Sequence, residues 1–194
     1  MARQVFFSFH YQDVIDFRAN VVRLHWLTKP DRDAAGFFDA SMWETAKKTG
    51  GTAVKRLINS GLDGTSVTCI LIGSETYARP WVRYEILKSF QRGNPIVAVH
   101  INSIRGKDQR TKVQGPNPLS YVGVTFSDSG LTATLHENAI GVWHEYSEID
   151  GSASYQTGAV APQYRGQGFN LAQWYPVYDW VADDGYNNFA TWVG

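Results

Sequence analysis

Residues 60–91 read SGLDGTSVTCILIGSETYARPWVRYEILKSFQ. Within them, Val67 to Ile72 (VTCILI) is an unbroken apolar run of strand length, with polar turn residues before it and Gly73 after it. Such a run predicts a strand buried on both faces, the habit of a parallel sheet covered by helices. A polar loop follows, and Pro80 suits the first position of a helix. Trp81, Val82, Ile86, Leu87 and Phe90 then make an apolar stripe of roughly 3.6-residue period. Glu85 falls one turn after Trp81, close to the carboxyl end of the preceding strand, where open parallel sheets bind their ligands.

Upstream of this stretch, Val5-Phe-Phe-Ser-Phe9 predicts a buried first strand, followed by His10 and Tyr11. Asp13 to Leu27 predicts one helix with Val14, Phe17, Val21 and Leu24 on its inner face, ended by Lys29-Pro30. Phe37-Phe38 and Asp39-Ala-Ser41 suggest a short second strand running into a polar loop with Trp43 and Glu44. Thr52 to Ile58 predicts a helix ending near Gly61. Downstream, Ile96 to Ile101 is a further buried strand, closed by Asn102. Strands and helices alternate through this region, which predicts an α/β fold with a doubly wound parallel sheet and helices on both faces.

The alternation stops at a Gly-, Lys-, Gln- and Pro-containing loop, Gly106 to Pro118. Tyr121–Phe126, Leu131–Leu135 and Val142–Tyr146 predict a small antiparallel meander, with turns at Ser127–Gly130 and Glu137–Asn138. An aromatic-rich tail follows. It holds a candidate last strand, Val177 to Val181, and a final helix capped by Asp183 or Asp184 with Tyr186, Phe189 and Val193 on one face. The expected organisation is a core over residues 1–105 and an extension over 106–194, packed as one domain.

Composition narrows the function classes. The chain has 194 residues, 19% of them charged and 14% aromatic, so a sizeable core is within reach and disorder is not expected. Its formal net charge of zero argues against a nucleic-acid binder that works by neutralising phosphates. The single cysteine, Cys69, lies mid-strand, so no disulfide framework or cysteine metal cluster is expected. No apolar run approaches the roughly 18 residues of a membrane span, and no signal-peptide pattern opens the chain; a soluble cytoplasmic protein without membrane contact is expected. Walker, GxGxxG, HExxH and GxSxG motifs are absent. So are the acidic pair of a phosphoacceptor receiver and a flavodoxin-type phosphate loop.

The opening Val5-Phe-Phe-Ser-Phe-His-Tyr11 and the block Ser66-Val-Thr-Cys-Ile-Leu-Ile-Gly-Ser-Glu-Thr-Tyr77, followed by Trp81-Val-Arg-Tyr-Glu85, resemble the TIR (Toll/interleukin-1 receptor) superfamily over about the first 105 residues. With Val177-Tyr-Asp-Trp-Val-Ala-Asp-Asp-Gly-Tyr186 added, the chain resembles more narrowly the TIR-like (MTH538-type) branch, and within it the ThsB-like proteins of Thoeris anti-phage defence systems. That resemblance implies a flavodoxin-like, TIR-like core. It also implies that Glu85 is the catalytic residue of NAD+ cleavage, at the nicotinamide–ribose bond, with NAD+ as substrate and no other cofactor. The family's product is a cyclic ADP-ribose isomer, made on phage infection, which activates a separate effector, ThsA. An unknown phage trigger and a homo-oligomer are the further partners implied.

The residues are compatible with such chemistry. Cleaving the bond to nicotinamide passes through an oxocarbenium-like state with positive charge on the sugar. A fixed carboxylate beside it supplies preorganised electrostatic stabilisation, commonly about 3–4 kcal/mol per group. Nicotinamide leaves readily, so no strong acid is required, and aromatic walls would fold the adenosine end back for cyclisation.

Candidate substrate-binding residues are Ser8, Phe9, His10, Asp39, Trp43, Trp81 and Asn102, and each also has a plain structural explanation. Glu85 by itself reads as a solvated helix residue, and Trp81 as core or pocket-wall packing. His10 either touches substrate or makes a structural hydrogen bond. Asp39 is a ribose partner or a turn-former. Trp43 either stacks on a base or lids the core, and Asn102 either lines the cleft or only ends its strand. Two other functions stay open on the residues alone: a non-enzymatic TIR-type interaction module, and a glutamate-dependent enzyme of the nucleoside deoxyribosyltransferase kind.

Overall fold

A computed structural model of the chain describes residues 3–37 and 40–194; the side chains of Arg3, Ala40, Ser41, Trp43 and Glu44 are outside the description. Five strands form a wholly parallel sheet: β1 (Arg3–Phe9), β2 (Arg32–Ala35), β3 (Val67–Ile72), β4 (Ile96–His100) and, from the end of the chain, a short strand at Val177–Asp179. The order across the sheet is β2-β1-β3-β4 and then the C-terminal strand, which pairs with β4 through Val177↔Ala98 and Asp179↔His100. The chain direction of construction reverses between β1 and β3, and that switch point leaves a crevice at the carboxyl ends of the strands.

Every residue of β3 and β4 is buried, the polar Thr68 and His100 included, as their largely apolar runs require. Successive side chains alternate between two cores. Val5, Phe7, Cys69, Leu71, Val97 and Val99 face one side, against α2 (Arg18–Leu27) and the final helix, Gly185–Trp192. Phe6, Ile70, Ile72 and Ala98 face the other, against α4 (Gly51–Leu62) and α5 (Pro80–Gln91).

The second half of the chain adds an antiparallel sheet of β5 (Val122–Phe126), β6 (Thr132–Ala139), β7 (Val142–Glu145), β8 (Ser154–Gln156) and β9 (Gly168–Asn170). Its inner face, Val122, Val124, Leu135 and Tyr146, shares one core with Tyr84 and Leu87 of α5. Helix α5 is therefore packed on two sides, between the two sheets. This explains why Val82, Tyr84, Glu85, Ile86, Leu87 and Ser89 are all buried.

Several sequence expectations are corrected. The helix expected over Asp13–Leu27 is two helices, α1 (Tyr11–Ile15) and α2, broken where Phe17 takes a left-handed conformation, φ 68°. The break shifts the helical phase, so Phe17 and Leu24 are more than half exposed while Arg18, Ala19, Val22 and Trp26 turn inward. The second strand lies at Arg32–Ala35, before the expected position, and the expected loop at Trp43 and Glu44 is helix α3 (Ala40–Thr49). Phe38 and Asp39 lie outside the described residues. The hairpin turn placed at Glu137–Asn138 is at Ile140–Gly141, φ 52° and 81°, the paired positive values of a tight hairpin turn. In the final helix, Phe189 and Val193 are buried but Tyr186 is 54% exposed, its ring edge-on to His25.

Arg18 locks the long connection after β4. Its guanidinium is 1% exposed and donates from Nε to the Ile104 carbonyl (3.0 Å) and from Nη2 to the Arg110 carbonyl (2.6 Å), with Asp16 3.3 Å from Nη1. Arg18→Ala leaves the Ile104 and Arg110 carbonyls without this donor and Asp16 with only Lys112 and Gln12, so we expect a loss of about 3 kcal/mol in urea unfolding. A loss under about 1 kcal/mol would show that the loop does not depend on this residue.

Candidate active site

Strand parity sets the first contact of the site. Ser8 shares the sheet face of Phe6 and Ile70, so its hydroxyl points at α5. Helical spacing puts Glu85 and Ser89 on the face of α5 that meets the sheet. The two elements are then joined by polar contacts inside an apolar layer. The Ser8 hydroxyl donates to Glu85 Oε2 at 2.6 Å, Thr68 Oγ1 lies 2.8 Å from Ser89 Oγ, and Ser89 Oγ donates to the Glu85 carbonyl at 2.7 Å.

Glu85 is 7% exposed, which rules out the solvated-helix reading of this residue. Burial pushes its carboxyl up to about 8, and the Ser8 hydroxyl opposes that shift. At neutral pH the side chain is therefore held mostly as the neutral acid. A cation placed beside it reverses the balance, because the carboxylate then gains a partner that offsets its lost hydration.

Glu85 opens into a cavity of about 280 Å³ at the switch point of the sheet. Phe7, Phe9, His10 and Tyr11 line it from the end of β1; Arg79, Pro80, Trp81 and Val82 come from the start of α5, with Gly36 and Lys47 beyond. The wall at β1 is stiffened by packed rings, Phe9 tilted against Phe37 at 4.4 Å and Phe7 edge-on to Phe37 at 5.5 Å. Gly36 has φ 88°, and a β-carbon there would lie 2.2 Å from the Phe7 carbonyl oxygen. Only glycine lets the chain after β2 pass this close to β1. Trp81 meets Tyr84 edge to face at 6.1 Å, which fixes its ring on the cavity rim. His10 is held below its usual range by burial and by the neighbouring Arg79, so it is neutral at pH 7. The Arg79 guanidinium pairs with Glu75, while its Nε is buried without a hydrogen-bond partner.

Of the residues singled out in the sequence, Glu85, Phe9, His10 and Trp81 come together around one cavity, with Ser8 bonded to Glu85. Asn102 is not brought to it: its Nδ2 donates to the Lys112 carbonyl at 3.4 Å and its own carbonyl accepts from Lys112 N at 2.9 Å, so it fastens the loop after β4. Asp39 and the side chain of Trp43 lie outside the described residues. Lys47, Arg79, Tyr11 and Gly36 were not singled out. Lys47 was hidden because α3 read as a loop; Arg79 had a signal in its place directly before Pro80. Among the described residues no cluster of His, Cys, Asp or Glu has the makings of a metal site, and no helix is long and apolar enough to cross a membrane.

Comparison with known proteins adds a further finding. Residues 6–105 match the family model described as "Thoeris protein ThsB, TIR-like domain". A protein of Bacillus cereus (strain MSX-D12) named "Putative cyclic ADP-D-ribose synthase ThsB1" is 56% identical over 194 residues, which is 100% of both chains.

The raised pKa of Glu85 has a stability signature. The folded chain keeps a proton that the unfolded chain has lost between pH 4.5 and about 8, so stability falls as pH rises through that window. Asp13, raised to about 6 mainly by burial, adds to the lower part of the same decline. Glu85→Gln should therefore unfold at higher urea than the parent at pH 8, by a few kcal/mol at roughly 1.4 kcal/mol per unit, and about equally at pH 4.5. Parallel pH profiles for the two proteins would overturn the assignment of this buried charge.

Proposed function

The chain belongs to the Thoeris ThsB TIR-like family, and on that footing we propose that it cleaves NAD+ at the nicotinamide–ribose bond and cyclises the remainder to a cyclic ADP-ribose isomer. The observation that carries this reading is the Ser8–Glu85 pair, buried at the floor of an aromatic-walled cavity beside Trp81. A carboxyl kept neutral in the empty site is suited to a substrate whose reacting end is a cation. The pyridinium ring brings its own positive charge, which favours ionisation of Glu85; its proton passes to solvent as the substrate binds and returns once the products leave, and a carboxylate faces the ribose in between.

As the bond from the anomeric carbon to nicotinamide breaks, its electron pair leaves with nicotinamide and positive charge moves onto the sugar. Glu85 stabilises that charge, and Ser8 keeps the carboxylate aimed while donating to the oxygen turned away from the substrate. A hydroxyl or ring nitrogen of the adenosine half then bonds to the anomeric carbon. One proton is released overall, together with neutral nicotinamide. Phe9, Tyr11 and Trp81 bound the space in which the chain of the substrate folds back, and their apolar surfaces keep water from competing. No cofactor beyond NAD+ enters this scheme. Phage infection is the trigger in this reading, the cyclic product acts on a separate effector, ThsA, and the enzyme works in the cytoplasm as a homo-oligomer.

The experiment uses infected cells expressing the parent, Glu85→Gln or Ser8→Ala, with filtered lysates searched by mass spectrometry for a cyclic ADP-ribose species. The parent should give product on infection. Glu85→Gln, folded and present at equal level, should lose it by about 10²–10³-fold. Ser8→Ala should retain roughly a tenth, having lost one hydrogen bond to a charged group. Product at the parental level from Glu85→Gln would sink the enzymatic reading and favour an interaction module.

A further inference from the structure

Two hydroxyl side chains lie in the apolar layer between the parallel sheet and α5 without reaching the cavity. Thr68 of β3 and Ser89 of α5 are both 0% exposed, and neither lines the space around Glu85. A buried hydroxyl gives up hydration that an apolar residue never had, so each needs a partner. They find it in each other and in one main-chain atom. Thr68 Oγ1 lies 2.8 Å from Ser89 Oγ, and Ser89 Oγ donates to the Glu85 carbonyl at 2.7 Å. A serine hydroxyl has a single proton, and here it goes to that carbonyl. Thr68 is therefore the donor in the pair, and the bonds run one way, from β3 through Ser89 to the backbone of Glu85.

Stability alone would not select this arrangement. A helical serine that bonds back to the carbonyl four residues earlier gives that carbonyl a second donor, which slightly destabilises and bends a helix. Alanine at 89 and valine at 68 would fill the same layer with no polar group to satisfy. What the two hydroxyls achieve is a connection. Phe6 pairs with Thr68 and Ser8 with Ile70, so Ser8 and Thr68 are diagonal neighbours on the same face of adjacent strands. Glu85 and Ser89 are one turn apart on the helix packed over that face. One strand thus holds the tip of the Glu85 side chain, and the next strand holds its main chain.

We propose that Thr68 and Ser89 are positioning residues for Glu85, fixing the backbone from which the carboxyl group is presented while Ser8 fixes its tip. The proposal rests on the NAD+ reading and adds two residues that touch neither the substrate nor the carboxyl group. A glutamate side chain has several rotatable bonds, so a hydrogen bond at the tip alone lets its base drift with the helix. With both ends tied to the sheet, the carboxyl group keeps one place relative to the reacting sugar. A misplacement of about 1 Å in such a site costs about 10²-fold in rate.

The test combines the infected-cell measurement of cyclic product with thermal melts of the purified proteins, on Thr68→Val/Ser89→Ala, Ser8→Ala and the triple variant. Thr68→Val/Ser89→Ala should melt within about 3 °C of the parent, because both partners are removed together, yet yield about a tenth of the product at equal protein level. A double-mutant cycle supplies the readout that a purely structural role leaves unmoved. Ser8→Ala should cost roughly tenfold in the parent but no more than about threefold in the Thr68→Val/Ser89→Ala background, where the aim is already lost. Thr68→Ser, which keeps the hydroxyl, should retain near-parental product, while Thr68→Val, which keeps the shape, should not; this pair carries the comparison if the combined variant folds poorly. Parental product from Thr68→Val/Ser89→Ala, an undiminished cost of Ser8→Ala in that background, or equal losses in Thr68→Ser and Thr68→Val would overturn the positioning role and leave NAD+ cleavage standing. A parent that makes no cyclic product on infection would overturn the reading on which the role rests.

Discussion

The hydrogen bond from Ser8 to Glu85 joins the first strand of the parallel sheet to the helix that the rest of the molecule is packed around. A carboxyl group in an apolar layer is costly, and it is tolerated here because one oxygen has a donor at 2.6 Å and the group can stay protonated. Everything about the site follows from keeping that group dry yet reachable. The parallel sheet closes it from one side, the antiparallel sheet covers the far side of α5, and the crevice between β1 and β3 is the opening that remains.

The fold was legible where the residues leave little choice. Val67–Ile72 and Ile96–His100 are apolar at every position but Thr68 and His100, which a strand covered on both faces accommodates, and Pro80 marked the first residue of α5. Legibility failed where local conformation overrode pattern. Val14, Phe17, Val21 and Leu24 have helical spacing, but Phe17 adopts φ 68° and the phase is lost, which no count of apolar positions reveals. The sequence suggests that a short strand through Ala40-Ser41 runs into a polar loop with Trp43 and Glu44, whereas all of these belong to the helix Ala40–Thr49.

The site divides along the same line. Glu85, Trp81, Phe9 and His10 were found from motif and from position at the strand ends, since strand termini in such sheets point into the crevice. Asn102 had an equally good position by that rule, yet the neighbouring β4 end is covered by the loop from Gly106, to which Asn102 is tied at Lys112. Lys47 depended on tertiary proximity between α3 and the start of α5 and carried no motif, while the one signal for Arg79 was its place before Pro80. Burial of Glu85 was likewise invisible: it comes from the packing of α5 on the parallel sheet, where Ser8 meets the carboxyl group, and helical spacing alone does not say which face is covered.

The parallel sheet takes its outermost strand from the far end of the chain, with everything from Ile101 to Pro176 intervening between β4 and its neighbour at Val177–Asp179. Closing so long an excursion costs entropy before the edge pairing can return anything, and topologies dominated by such remote contacts form slowly. During synthesis the first four strands emerge well ahead of the fifth, and the antiparallel strands that cover α5 emerge between them. The described lining of the pocket around Glu85 runs only from Phe7 to Glu85, so the residues of the site are all made before the covering strands and the fifth strand, and what the late segments add is the far-side cover of α5 and the last edge of the sheet.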